Sequence, residues 1–544
     1  MYNPCKYIFA AILSCSLLTT CAVAQTATTL IQADPPKNWH ELDFKADGFY
    51  GISLNQAYAF LKGKKSKTVL VAIIDTGVDT TQKDLDGILW VNPKEKPNGK
   101  DDNHNGYVDD IHGWNFLGGK NGKCDLNEVS EEIRTYYKLK DKYANITSVP
   151  AGDEKNYAFW LKVKALRDTT VSRDTADLRY LKPEMNALMI SNGYLKKAMK
   201  LGPGGTFNMQ SLDKINAAND TVKNSKYVWD LVFQQEGTAS NNVDVLKDLG
   251  DYIQKLNNDV NPDLTSRKDI VGDDPDVNDG KPYGNNILKY SDAAHGTGVA
   301  GLIGAKRNNG YGIDGVADNV RIMVIKALPI GDEYDKDVAN AIRYAVDNGA
   351  KIINMSFGKK LSPHKEWVDE AFKYAAAKDV LLVQASGNDN LNVDSVPQYP
   401  NDTFLDGSST DAANVICVGA SGPLADTSLA CNFTNYGKKN VDVFAPGTKV
   451  TSINMDSEFN TEDGTSFSSP IATGIAALVL EYYPKLSAAQ LKQVILQSAT
   501  PLTGTMVIKP GTHQLVDFTT LSKTGGIVNA YRAVEIAAGM KGDR

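Results

Sequence analysis

Gly464-Thr465-Ser466-Phe467-Ser468-Ser469-Pro470 leads into a run of small and apolar residues from Ile471 to Leu480. The pattern predicts a buried helix with a small hydroxyl residue at its N-terminal mouth. The first N–H groups of a helix have no partners within it, and its dipole favours negative charge there. Ser466 therefore stands where a developing oxyanion would be stabilised. A serine hydroxyl is a weak nucleophile until a neighbouring base takes its proton. Such a base must come from elsewhere in the chain.

Two upstream segments supply what the serine needs. Ile73-Ile74-Asp75-Thr76-Gly77-Val78-Asp79 places a carboxylate at the end of an apolar run, followed by a turn glycine. His295-Gly296-Thr297-Gly298-Val299-Ala300-Gly301 places a histidine at the start of a small-residue helix. Histidine titrates in the range that base catalysis requires, and a buried carboxylate orients and stabilises its imidazolium. Asp75, His295 and Ser466 are thus the candidate catalytic residues for acyl transfer. The order Asp, His, Ser separates this chain from the chymotrypsin-like and α/β-hydrolase orders. Position 468 is Ser, so the G-x-S-x-G elbow is absent as well.

The surrounding pattern predicts an α/β fold. Short continuous apolar runs recur at Val69–Ile74, Val320–Leu328, Lys351–Met355, Val380–Val383, Val415–Val418 and Val441–Phe444. Such runs suit strands buried on both faces of a parallel sheet. Between them, Val338, Ile342 and Val346 recur at helical spacing, as do Val368, Phe372 and Ala375. Catalytic groups in such sheets collect beyond the carboxyl ends of the strands, where Asp75 stands. The stretch 125–270 differs: it is richer in Lys, Asp, Asn and Tyr and lacks strand-like runs. Phe159, Val163 and Leu166 share one helical face, and Leu246, Leu249, Ile253 and Leu256 another. It reads as a helical insertion whose stripes pack on each other or on the sheet.

The blocks Asp75-Thr76-Gly77, His295-Gly296-Thr297 and Gly464-Thr465-Ser466, with Ala385-Ser386-Gly387-Asn388, resemble the signatures of the subtilisin-like serine peptidases, the subtilases. The resemblance covers about 47–120 and 285–540 and leaves the insertion out. It implies a three-layer fold with a mainly parallel sheet of about seven strands. It also implies that Asn388 donates a side-chain hydrogen bond to the oxyanion, with the Ser466 N–H as second donor. Ser356-Phe357-Gly358 matches the family's edge segment, which takes extended polypeptide substrates by strand addition. The expected activity is that of a serine endopeptidase. Alternatives on the same framework are a non-catalytic scaffold or an exopeptidase or esterase using the same triad. Asp75 and His295 lie 220 positions apart, further than in compact family members. The stretch ahead of the first catalytic strand is shorter than the family's usual inhibitory propeptide. The insertion is expected to take over part of that role or to shield the cleft.

Asp101-Asp102-Asn103-His104-Asn105-Gly106-Tyr107-Val108-Asp109-Asp110 resembles a calcium loop. Oxygen ligands recur at Asp101, Asn103 and Asn105, Gly106 permits a sharp turn, and the Tyr107 carbonyl follows. Asp109 and Asp110 complete the expected ligand set. His112 replaces the bidentate Glu of an EF-hand, so a lone structural calcium (Ca2+) loop is expected rather than a helix–loop–helix. The remaining histidines show no zinc spacing.

Composition sets the outer limits. The 544 residues carry 42% hydrophobic and 23% charged residues, a globular balance. The net charge of −7, with no basic stripe, argues against nucleic acid as a partner. Lys6, the apolar stretch Tyr7–Leu18 and Ala22-Val23-Ala24 read as an export signal over 1–24, with lipid attachment at Cys21 as the alternative. No later stretch is long and apolar enough to span a membrane. The expected organisation is a signal (1–24), an N-terminal segment (25–46), a first catalytic part (47–124), the insertion (125–270) and a second catalytic part (271–544). Cys124, Cys417 and Cys431 do not form a disulfide framework, though a Cys417–Cys431 bridge or free thiols both fit.

Overall fold

Alternation within one apolar run builds both faces of the sheet in the computed structural model, which describes residues 35–215, 219–236 and 241–544. Val71 and Ile73 enter one core layer, and Ala72 and Ile74 enter the other. Every one of these side chains is fully buried. That is why the run carries no polar residue until Asp75. The export signal and Cys21 lie outside the described residues.

The strands of the main sheet, in chain order, are β1 (Val69–Asp75), β2 (Gly113–Asn115), β3 (Val320–Lys326), β4 (Ile352–Met355), β5 (Leu381–Ala385), β6 (Val415–Ser421), β7 (Val443–Pro446), β8 (Thr500–Pro501) and β9 (Gly526–Ile527). They form one sheet in the order β8-β9-β7-β6-β5-β4-β1-β3-β2. Neighbours are parallel except β8 with β9. The expected α/β class stands. The strand number is nine rather than about seven, because β2, β8 and β9 have only two or three residues each. Strands that short leave no period to read.

β1 lies between β4 and β3, with Asp75 in register with Lys326. The chain order reverses there, and such a switch point opens a crevice at the carboxyl ends of the strands. The helix Thr465–Tyr482 is buried almost throughout and packs in the layer that holds Val71 and Ile73. Helices Asp335–Asp347 and Lys365–Ala377 cover the opposite face through Val338, Ile342, Val368 and Phe372.

Two compact units divide the chain. One comprises 37–145 and 263–544, the other 146–262. The helix Glu131–Tyr143 and the short helix Ser266–Ile270 thus fold with the sheet, although the sequence groups them with the insertion. The second unit has its own core. Leu181, Leu188 and Leu195 of the helix Glu154–Ala198 meet Trp229 and Phe233 of Asp220–Glu236 and Leu249 and Leu256 of Asn242–Val260. Leu246 and Ile253 pack at its margin. Cys417 and Cys431 are buried free thiols, so no bridge joins them. Burial pushes the Cys124 thiol up to about 12, which keeps it protonated and unreactive.

Candidate active site

Asp75 ends β1 fully buried. Its Oδ1 accepts the backbone N–H of Thr76 at 2.7 Å and faces His295 Nδ1 at 2.7 Å. A carboxylate can only accept, so Nδ1 carries the proton and Nε2 is left as the basic nitrogen. His295 is the second residue of the helix Ala294–Gly304 and stays partly open to solvent. Gly296 explains the close approach. A Cβ there would lie 2.1 Å from the Gly77 carbonyl oxygen and 3.2 Å from Asp75 Oδ1. Thr297 ties the two segments further, since its hydroxyl accepts from Asp79 N at 2.9 Å and donates to the Ala293 carbonyl.

Lys326 is a site residue that no sequence motif singled out. It ends β3 beside Asp75, fully buried, and its ammonium donates to the Thr76 carbonyl and to Asp292, each at 2.6 Å. Only the strand register brings it there.

Ser466 is the second residue of its helix. Gly464 precedes it with φ 153°, ψ 151°, a backbone that favours glycine. The missing side chain matters as well. A Cβ on Gly464 would sit 3.5 Å from Asn388 Nδ2, 3.6 Å from the Ser466 nitrogen and 3.7 Å from Ser466 Oγ. One small space is therefore bracketed by two N–H donors and a hydroxyl.

Asn388 follows β5 and is held from both sides. Its Oδ1 accepts from the Thr465 N–H at 2.9 Å and the Thr465 hydroxyl at 2.8 Å. Those donors assign the amide, so Nδ2 faces the space at Gly464. Asn435, buried and also without a sequence signal, clamps the flanking loop. Its Nδ2 donates to Ser386 O, and its Oδ1 accepts from Asp389 N and Leu391 N.

Ser356, Phe357 and Gly358 follow β4. Ser356 is buried, Phe357 half-buried and Gly358 exposed. The Ser356 hydroxyl donates to the Ser466 carbonyl at 2.8 Å. Asn354 links the same helix by accepting from Ser469 and Thr473.

The residues of the calcium-like loop have different hydrogen-bond surroundings, although the Asn105 side chain reaches Asp110. Asp101 accepts from Asn105 N and Gly106 N, Asn103 from Asn105 N, and Asn105 from Tyr107 N. These four positions wind round one turn. Asp109 instead accepts from Asn98 N and Gly99 N, and Asp110 is buried against Asn92 and Tyr344. Burial, with the nearby Glu95 carboxylate, raises Asp110 to about 6. Glu95 Oε1 accepts from Asn103 N, while its buried Oε2 has no hydrogen-bond partner among the described residues. Among the described residues no three His, Cys, Asp or Glu side chains gather closely enough to hold a metal. A cation here would depend on Asn103, Asn105 and the Tyr107 carbonyl as well as on carboxylates, which suits a hard oxygen-seeking ion.

The subtilase family model matches residues 66–512. The chain is 30% identical over 388 residues to the thermophilic serine proteinase of Bacillus sp. (strain AK1), covering 70% of this chain and 82% of that protein. It is 30% identical over 217 residues to the cell wall-associated protease of Bacillus subtilis (strain 168), covering 40% of this chain and 22% of that protein. The chain thus spans most of the first relative and about a fifth of the second. The solved structure of the prenylagaramide maturation protease PagA aligns at 26% identity and a TM-score of 0.37, over 46% of this chain and 83% of that one. With the family match running from ahead of β1 to beyond the Ser466 helix, this chain belongs to the subtilase family of subtilisin-like peptidases.

Proposed function

We propose that the protein is an exported serine endopeptidase that cleaves extended polypeptides through an acyl-enzyme. One observation carries the reading. The His295 ring, paired with Asp75, lies 5.8 Å centroid to centroid from Phe467, the residue next to Ser466, and Ser466 Oγ, Ser466 N–H and Asn388 Nδ2 bracket one small space on that same turn. In this reading Ser466 Oγ attacks the scissile carbonyl carbon while His295 Nε2 takes its proton. Asp75 holds the imidazolium that forms. The carbonyl oxygen becomes an oxyanion between Asn388 Nδ2 and the Ser466 N–H. The tetrahedral adduct collapses as His295 returns the proton to the leaving amine, leaving an ester on Ser466. Water, deprotonated by His295, then hydrolyses that ester and regenerates the serine.

Ser356–Gly358 serves as the edge along which the substrate lies, with its backbone groups pairing to the peptide. Ala22-Val23-Ala24 supports export. Asp101, Asn103, Asn105 and Tyr107, with Asp109 and Asp110, would hold a structural calcium ion.

A fluorophosphonate probe tests the central assignment. Labelling of the wild type that vanishes in Ser466→Ala is expected. A wild type that resists labelling would favour a non-catalytic scaffold. Cleavage-site mapping on internal and terminal peptide bonds separates endopeptidase from exopeptidase action, and a preference for termini would overturn the former.

A further inference from the structure

The residue after the proposed substrate edge is unusual. Lys359 follows exposed Gly358 directly, yet its side chain is only 2% exposed. Its ammonium reaches Glu131 Oε2 at 2.8 Å, Asp335 Oδ1 at 2.9 Å and the Glu333 carbonyl at 2.7 Å. Glu131 is the first residue of the helix Glu131–Tyr143, at the root of the insertion.

Glu131 is itself held firmly. Its Oε2 also accepts from Arg134 Nη2 at 2.7 Å, and its Oε1 accepts from the Thr135 hydroxyl. Its own N–H donates to Asp332 at 2.8 Å. Arg134 donates onward to the carbonyls of Val129, Asp332 and Glu333, and lies 3.9 Å from the Tyr334 ring centroid. Ahead of the helix, Glu128 N donates to Ile330 O and Ile330 N donates to Leu126 O. The entry limb is therefore zipped along 330–333 and ends in a carboxylate aimed at Lys359. Asp335 grips the other side of the edge by accepting from the Ser362 hydroxyl and His364 N.

Burial alone would push the Glu131 carboxyl up, but Arg134 and Lys359 overcome it and hold the group well below the ordinary carboxylate range. A cationic side chain this deep needs such partners, and removing one leaves the other charge uncompensated. The backbone of Lys359 is fixed too, exchanging both hydrogen bonds with Tyr399 at 2.8 and 2.9 Å.

We propose that Glu131 is a positioning residue for substrate binding. Through Lys359, the root of the insertion sets the conformation of the Ser356–Gly358 edge. The inference rests on reading that edge as the substrate-binding segment. The insertion's root is then part of the cleft's framework, a role distinct from shielding it.

The test compares peptide length. A longer peptide lies along the edge, whereas a single-residue ester reaches only the reacting centre. In wild type, kcat/KM should favour the longer peptide. In Glu131→Gln, with active enzyme counted by fluorophosphonate titration, that preference should fall on the order of tenfold. The fall should appear mainly in KM. A purely structural role would lower both substrates by one factor, and an unchanged ratio in the variant would overturn the proposal. If Glu131→Gln does not accumulate folded, Lys359→Arg keeps the charge, moves the donor and reads the same ratio. Failure of both variants to fold would assign the network to stability alone and also overturn it. A wild type that does not label would instead defeat the peptidase reading, so the two failures are distinguishable.

Discussion

The Ser356 hydroxyl donates to the Ser466 carbonyl oxygen at 2.8 Å. In a regular helix that carbonyl would accept from the N–H four residues on, but the residue there is Pro470, which has none. The bond therefore joins the proposed nucleophile's backbone to the proposed substrate edge. Ser356→Ala should cost about 1 kcal/mol of stability. Activity should fall more than that loss of folded protein explains, because the serine's turn loses its outer anchor. Denaturant midpoints and titrated kcat together check this, and unchanged kcat per active site would refute it.

Asn388 has one job on each side of its amide. Oδ1 caps Thr465, and Nδ2 faces the space where an oxyanion would form. Asn388→Ala should lower kcat by about 10²–10³ with little change in KM. Steady-state kinetics on a peptide substrate decides it. A rise in KM at constant kcat would place Asn388 in ground-state binding instead.

His40 sets an acid limit. Burial, then the Arg307 charge, lowers it to about 4, and neither ring nitrogen has a hydrogen-bond partner among the described residues. The unfolded chain takes up this proton near the ordinary value of 6.5, while the folded state resists until about pH 4. Stability should therefore fall as pH drops through that window, by up to about 3 kcal/mol. Glu41 beside it acts oppositely. Burial raises it to about 7, so its contribution is lost as pH rises from the ordinary carboxyl range to that value. Melting curves of wild type and His40→Gln between pH 4 and 7 isolate the histidine. Parallel acid limbs in the two proteins would count against it.

Calcium at the Asp101 turn should raise the melting temperature. A ligand bound only by the folded state contributes about 2.7 kcal/mol at a hundred times its Kd. Asp101→Asn should abolish the difference between calcium and chelator at this loop. An equal chelator effect in wild type and variant would show that the ion sits elsewhere.

Arg267 pairs bidentately with Asp337 at 2.7 and 2.8 Å and also with Asp273, all nearly buried. Arg267→Met should cost about 3–5 kcal/mol by stranding Asp337. Arg267→Lys should recover only part of that loss, since a point charge cannot replace the planar fork. Chemical denaturation measures both. A test of the insertion must leave this pairing in place. A deletion of 146–262 spares Glu131, Arg134 and Arg267, which fold with the sheet unit.

The α/β class and the chain order of Asp75, His295 and Ser466 were legible in the residues alone. Strands buried on both faces must be continuously apolar, and a helix N-terminus beside glycines leaves a readable trace. The sequence could not show β2, β8 or β9, which are too short to have a period, nor the true root of the insertion. Tertiary structure alone brought Lys326 beside Asp75, Asn435 around Asn388 and Glu131 to Lys359. Asp109 and Asp110 also met partners that spacing could not foresee. These groups lie far apart in sequence, and a buried charge or amide finds its partner by three-dimensional proximity, which no local pattern records.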